Sequence, residues 1–261
     1  MGRVGETEVL HHPYTLGMPS RRFDAIDALR GFALVWMTMF HFCFDLSQFG
    51  YWRQDLYHDP FWTLQRTAIL STFLFCAGMG QAVALAKGQS WSRFWRRWAQ
   101  IAACALLVTA GSWLMFPRSF IYFGVLHGIA IMLVVVRLTA GWGSALWVMG
   151  LLAIAAGWIA PNLLSASSQA ELFNSPWLNW LGLVTRKPIT EDYVPILPWL
   201  GQMWWGVAAG NWLLRRPSLL AWKPGLRMGW LAALGRWSLA YYMLHQPVLI
   251  GGLMLLGIAT R

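Results

Sequence analysis

Seven apolar runs, each long enough to cross a bilayer as a helix, alternate with short polar segments, at about 28–48, 61–86, 98–116, 119–137, 142–163, 195–214 and 237–258. The pattern predicts an all-α polytopic membrane protein, with about seven transmembrane helices around a polar central cavity. A single transmembrane domain would then occupy residues 21–261. Residues 1–20 have no apolar core of signal-peptide type and are expected to form a short disordered cytoplasmic tail. The tight FPRS turn predicts an antiparallel hairpin of the third and fourth spans. LRMGWLAALGR, at 226–236, predicts a short interfacial helix before the last span. The one long loop, 164–194, carries NSPW and RKPITEDY, and is where a lid or specificity element is expected.

Polar positions inside these runs are few, and those of the first run share one face. Arg30 and His41 are eleven residues apart. At about 100° and ~1.5 Å per residue they fall on nearly the same side of a helix, ~16 Å apart. Asp27 and Asp45 lie within about 60° of Arg30 on the same wheel. Three further cations fall inside other spans: Arg66 in the second, His127 in the fourth and His245 in the last. Ionisable groups at membrane depth are costly and usually face a protein-lined interior. Asp45 follows His41 by four residues, so its carboxylate could orient the imidazole; it could equally neutralise Arg66. Asp27, in the first helical turn, suits the helix dipole and local pairing with Arg30. His58, in YHDPFW just before the second span, is either an exposed loop residue or a group at the outer mouth.

Composition agrees with this picture. The chain is 57% hydrophobic and 11% charged, against about 25% charge in a soluble domain. The net charge of +10 would suit nucleic acid or anionic lipid, but topology accounts for it. Fourteen Lys and Arg fall on the side of the N-terminus and the second-to-third loop, five fall on the other, and Arg66 is the twentieth. That asymmetry predicts an N-terminus in, a C-terminus out and no nucleic-acid partner. Cys43, Cys76 and Cys104 lie in apolar runs without CxxC spacing, and no HExxH, GxSxG or P-loop occurs. No metal is expected. The glycines of CAGMG and GVAAG have the spacing of close helix packing.

The stretch RRFDAIDALRGFALVWMTMFHFCFDLSQFGY resembles the N-terminal segment of bacterial members of the heparan-alpha-glucosaminide N-acetyltransferase-like membrane family. QRTAILSTFLFCAG, FIYFGVLHGIAIML, PILPWLGQMWWGVAAG and LGRWSLAYYMLHQPVLIGGL continue the resemblance in order over residues 21–255. The Arg-x10-His spacing and the LGRxSL…YxxHQP ending also resemble the wider transmembrane acyltransferase superfamily. The resemblance implies transfer of an acyl group, acetyl above all, from cytoplasmic acyl-CoA to a carbohydrate-like hydroxyl or amine acceptor at the outer face of a bacterial inner membrane. By that resemblance Arg30 and His41 occupy the family's Arg-x10-His pair, and Arg66, His127 and His245 match its second-span arginine, VLH and HQP positions. With Asp27 and Asp45, placed by their spacing to Arg30 and His41, the expected acyl-CoA contact is Arg30 and Asp27, and the expected catalytic centre is His41, Asp45, Arg66, His127 and His245. His58 falls near the position of the catalytic histidine in the lysosomal branch, which has asparagine where His41 stands. Two other classes use the same buried groups: a proton-coupled transporter and a haem b protein with histidine axial ligands.

Overall fold

The first long helix, α1 (Asp24–Gln48), opens with Asp24 and Asp27 in its first turn, where acidic side chains complement the helix dipole. The structure, a computed structural model, describes residues 23–216, 219 and 228–259; the tail expected over 1–20 lies outside them. Helix α2 (Pro60–Ala86) starts where Pro60 supplies the first helical residue and the Asp59 carboxylate accepts from the Phe61 N–H at 2.8 Å. Ser90 caps α3 (Trp91–Met115). There follow α4 (Val125–Thr139), α5 (Ala145–Leu164), the short α6 (Ala170–Asn174), α7 (Ile196–Leu214), α8 (Gly229–Arg236) and α9 (Ser238–Ala259).

Six of these helices are long and apolar enough to cross a membrane: α1, α2, α3, α4 with the turn that follows it, α5 and α9. The seventh expected span, α7, has 19 residues, about 28 Å of helix, but is less apolar because it carries Gln202, Asn211 and four tryptophans. Its neighbours explain how that is tolerated. Helix α7 is embedded among α2, α4 and α5, and two of its tryptophan N–H groups are paired. The Trp204 indole N–H donates to the Thr139 hydroxyl at 2.9 Å, and that of Trp205 to the Trp147 carbonyl at 2.9 Å. Among the described residues, the polar groups of the first span meet those of α9, while α7 packs against α2, α4 and α5.

Glycines set how closely α7 approaches. A Cβ on Gly206 would lie 2.2 Å from the Phe75 carbonyl oxygen, and one on Gly78 2.1 Å from that of Met203. On the opposite side Gly201 meets the Gly150 carbonyl, where a Cβ would lie 2.5 Å away. The same device joins α8 to α1. A Cβ on Gly31 would stand 1.9 Å from the Leu231 carbonyl oxygen, and one on Gly235 1.9 Å from that of Asp27. Arg236 then reaches Asp24 at 3.7 Å. Outward faces are apolar, as lipid requires; Leu114 is 78% exposed.

Two expectations about boundaries change. The third span begins at Trp91 instead of 98, because Ser90 starts the helix about two turns ahead of the purely apolar segment. The fourth begins at Val125 instead of 119, so spans three and four are not a tight hairpin. A short helix precedes the last one at Gly229–Arg236, while residues 226 and 227 lie outside the described set. The reason for the second change is the long loop. Glu191 N–H donates to the Ser119 carbonyl at 2.8 Å, Val194 N–H to that of Phe123 at 3.1 Å, and the Thr190 hydroxyl to that of Phe120 at 2.9 Å. Asp192 accepts from the Val125 N–H at 2.8 Å, satisfying one of the free donors at the start of α4. This loop is folded onto the bundle, with α6 and a 3-10 turn (Asn179–Leu181) inside it.

Gly206→Ala is expected to lower thermal stability in detergent by about 1–3 kcal/mol, since the backbones must part. Gly111→Ala, where a Cβ meets nothing within 4 Å, should be neutral or stabilising by up to about 1 kcal/mol; equal melting temperatures for the two would contradict this packing. Asp192→Ala should cost about 1 kcal/mol and speed tryptic cleavage after Arg186, read by gel and mass spectrometry; an unchanged cleavage rate would show that Asp192 does not hold the loop.

Candidate active site

His41 and His245 meet between α1 and α9. Their ring centroids are 5.0 Å apart and His245 Nε2 lies 3.4 Å from His41 Nδ1. The third member is Gln246, whose side-chain oxygen stands 2.7 Å from His41 Nδ1 and whose amide nitrogen donates to Asp45 Oδ1 at 2.8 Å. Asp45 is 3% exposed and His245 8%. The carboxyl thus acts on His41 through an interposed amide and not by direct contact. Its second oxygen is buried and makes no hydrogen bond. On the far side, His245 Nδ1 donates to the Tyr242 carbonyl at 2.7 Å, and the Tyr241 ring stacks on it at 6.1 Å and 4°. Tyr241 is held in turn by a hydroxyl–hydroxyl bond to Thr38 of 2.7 Å. Pro247, inside α9, lacks an N–H for the preceding turn.

Arg30 occupies the other end of the stripe. Its guanidinium pairs with Asp27 at 3.1 Å and donates to the Cys76 carbonyl of α2 at 3.4 Å. A cleft of about 160 Å³ opens there, lined by Phe23, Ile26, Asp27, Arg30, Gly80 and Lys87 among others. A Cβ on Gly80 would lie 3.5 Å from the Arg30 guanidinium, so the small residue gives Arg30 its room. Arg97 of α3 is within electrostatic range of Arg30. The cleft is therefore basic, apolar on one wall, and placed where α1 begins and α2 ends.

The other candidates are not part of this cluster. His127 accepts the Gly124 N–H at Nδ1, 3.3 Å, and bonds the Thr109 hydroxyl through Nε2, 3.0 Å; both ring nitrogens serve to join α3, α4 and the segment between them. Arg66 is exposed on α2 and makes no ion pair with Asp45, which Gln246 occupies. It lies instead within electrostatic range of Asp192, Lys187 and Tyr57, near the folded loop. Burial pushes the Asp192 carboxyl above the ordinary range, against the pull of the Val125 N–H, Lys187 and Arg66. His58 is a surface residue whose ring meets the Asp55 carboxylate at 3.1 Å; the His58 backbone N–H does most to hold that carboxyl below its usual range.

Gln246, Tyr241 and Asp192 were not singled out by the sequence reading. The signal for Gln246 was available: an amide within an apolar span needs a partner, and it adjoins His245. Asp192 gave none, since loop acids are common. Among the described residues no group of three His, Cys, Asp or Glu side chains is disposed to hold a metal ion.

No curated protein and no solved structure matches the chain. One family model does, that of "Heparan-alpha-glucosaminide N-acetyltransferase, catalytic", over residues 22–247. The match takes in α1 with its stripe, the embedded α7 and α9 as far as the His-Gln-Pro turn. By that match the chain belongs to the heparan-alpha-glucosaminide N-acetyltransferase catalytic family, and is an integral membrane protein of an acyltransferase family.

Proposed function

We propose that the protein transfers an acyl group, acetyl in the first instance, from acyl-CoA to a hydroxyl or amine of a carbohydrate-like acceptor across a bacterial cytoplasmic membrane. The observation that supports this reading is the buried His41–Gln246–Asp45 set beside His245, on two helices long enough to span. The donor docks at the basic end of the bundle, with its phosphates toward Arg30 and its neighbours. Its pantetheine arm covers the ~16 Å of helix rise from Arg30 to His41. The acceptor comes from the opposite face, where Arg66 and Lys187 lie beside the loop.

Chemistry then follows from the side chains. His41 removes the proton from the acceptor hydroxyl or amine as its lone pair attacks the thioester carbonyl. The carbonyl π bond opens to an oxyanion; when it re-forms, the C–S bond breaks and CoA leaves as thiolate. The proton held by His41 passes to that sulfur, so the enzyme returns to its starting state. His127 has both nitrogens engaged in joining helices, and Arg66, outside the His41 cluster and within range of Lys187 and Asp192, is assigned to holding the acceptor. His245 supports the His41 ring from behind.

The test is CoA release by purified protein given acetyl-CoA and acceptor. His41→Ala is expected to lower kcat by about a hundredfold or more, and Arg30→Ala to raise KM for acetyl-CoA about tenfold, the scale of one lost charge-assisted contact. Wild-type rates in His41→Ala would overturn the assignment. Acceptor-independent behaviour of the wild type would overturn the transferase reading itself.

A further inference from the structure

The hydrogen-bond directions in the α1–α9 cluster fix more than its geometry. A carboxyl oxygen such as Asp45 Oδ1 accepts, so the group of Gln246 that faces it at 2.8 Å is the amide NH2. This holds for an ionised Asp45 and for one protonated at Oδ2, the oxygen without a partner. The amide is planar, so its oxygen then points the other way, to His41 Nδ1 at 2.7 Å. An amide oxygen only accepts, and His41 Nδ1 must carry the hydrogen. The second group facing that nitrogen agrees. His245 gives its own Nδ1–H to the Tyr242 carbonyl, so a neutral His245 presents a lone pair at Nε2, 3.4 Å from His41 Nδ1. Two acceptors therefore converge on one N–H.

From this we propose that Gln246 is a positioning residue: turned by Asp45, it holds His41 in the Nδ1–H tautomer and leaves Nε2 as the basic nitrogen. The proposal rests on the acyl-transfer reading for its kinetic consequence, while the tautomer is a property of the resting protein. Gln246 touches neither reacting group. It accepts the Nδ1 hydrogen without taking it, because an amide oxygen is a very weak base. Proton traffic is thereby confined to Nε2. A carboxylate bonded directly to Nδ1 would raise the basicity of the ring more, whereas the amide passes on only part of that effect and keeps the ring oriented.

The experiment uses the full chain in lipid nanodiscs, with 15N-labelled histidine, and the His41 signals assigned by their loss in His41→Ala. The wild type is expected to show Nδ1 protonated and Nε2 bare at neutral to alkaline pH. Gln246→Leu should give mixed or Nε2–H tautomers, lower kcat about a hundredfold, and leave KM for acetyl-CoA within about twofold. Gln246→Glu restores an acceptor at Nδ1; it should recover a tenth or more of kcat and move the acidic limb of the pH–rate profile, which reports the general base, to higher pH. Asp45→Asn frees the amide to turn and should mix the tautomers even with Gln246 present, which carries the test if Gln246→Leu does not fold. A wild-type His41 with hydrogen at Nε2, or variants that leave tautomer and kcat unchanged, would overturn the proposal. If the tautomer is as expected but no variant or wild type transfers an acyl group, the transferase reading fails and the positioning role stands.

Discussion

Helices in a bilayer gain little by hiding leucine from lipid, because the lipid is as apolar as the side chain; what brings them together is close packing and hydrogen bonding. The backbone contacts of Gly78, Gly201 and Gly206 are therefore the constraint from which the rest of this bundle follows. They admit α7 between α2 and α5 at a separation no side chain would allow. With α7 in that place, the N–H groups of Trp204 and Trp205 find Thr139 and Trp147. The polar cluster belongs to another set of helices.

It is built on α1, α8 and α9. Gly31 and Gly235 seat α8 against the first third of α1. Helix α9 runs on from α8 and brings Tyr241, His245 and Gln246 to the last third of α1. Satisfaction of polar groups dictates the detail. In hydrocarbon, an amide, a carboxyl and two imidazoles each need a partner, and the set His41–Gln246–Asp45 with His245–Tyr242 supplies nearly all of them internally. One buried carboxyl oxygen, Asp45 Oδ2, is left over. Apart from that oxygen and the outer nitrogen of His41, the set holds itself in place.

Much of this was legible in the residue pattern. The all-helical architecture, the short helix before the last long one, the polar stripe of α1 and the close packing at Gly78 and Gly206 follow from spacing and composition, because periodicity and residue size are local properties. Which polar residues meet is not local. His41 and Asp45 share a helix face one turn apart, which suggested a direct bond; a side chain from a helix two hundred residues away in sequence took that place instead. Arg66 and His127 have the same sequence signature as His41 and His245, a lone cation in an apolar run. The difference between a cluster member, a helix-joining histidine and an arginine beside a loop is made only by which helices pack together. The loop 164–194 shows the same limit: its length suggested a lid, whereas its backbone hydrogen bonds to residues 119–123 fold it down and push the start of α4 to Val125.

One helix carries both ends of the arrangement, and that has a consequence. The separation of Arg30 from His41 is set by the rise of α1, so it varies far less than a distance spanned by loops or by two mobile helices. In the proposed reaction, a donor anchored by its phosphates near Arg30 has its thioester delivered at a depth fixed by covalent geometry, and proximity is gained without a closing motion. The acceptor side is built differently. Arg66 sits on α2, Lys187 and Asp192 on the loop, and their relative positions depend on the Asp192–Val125 bond and its neighbours. Variation among related chains is therefore expected to concentrate at the loop, where it changes the acceptor, while a shift of one residue within the eleven-residue interval would turn His41 by about 100° away from α9 and remove it from Gln246 altogether.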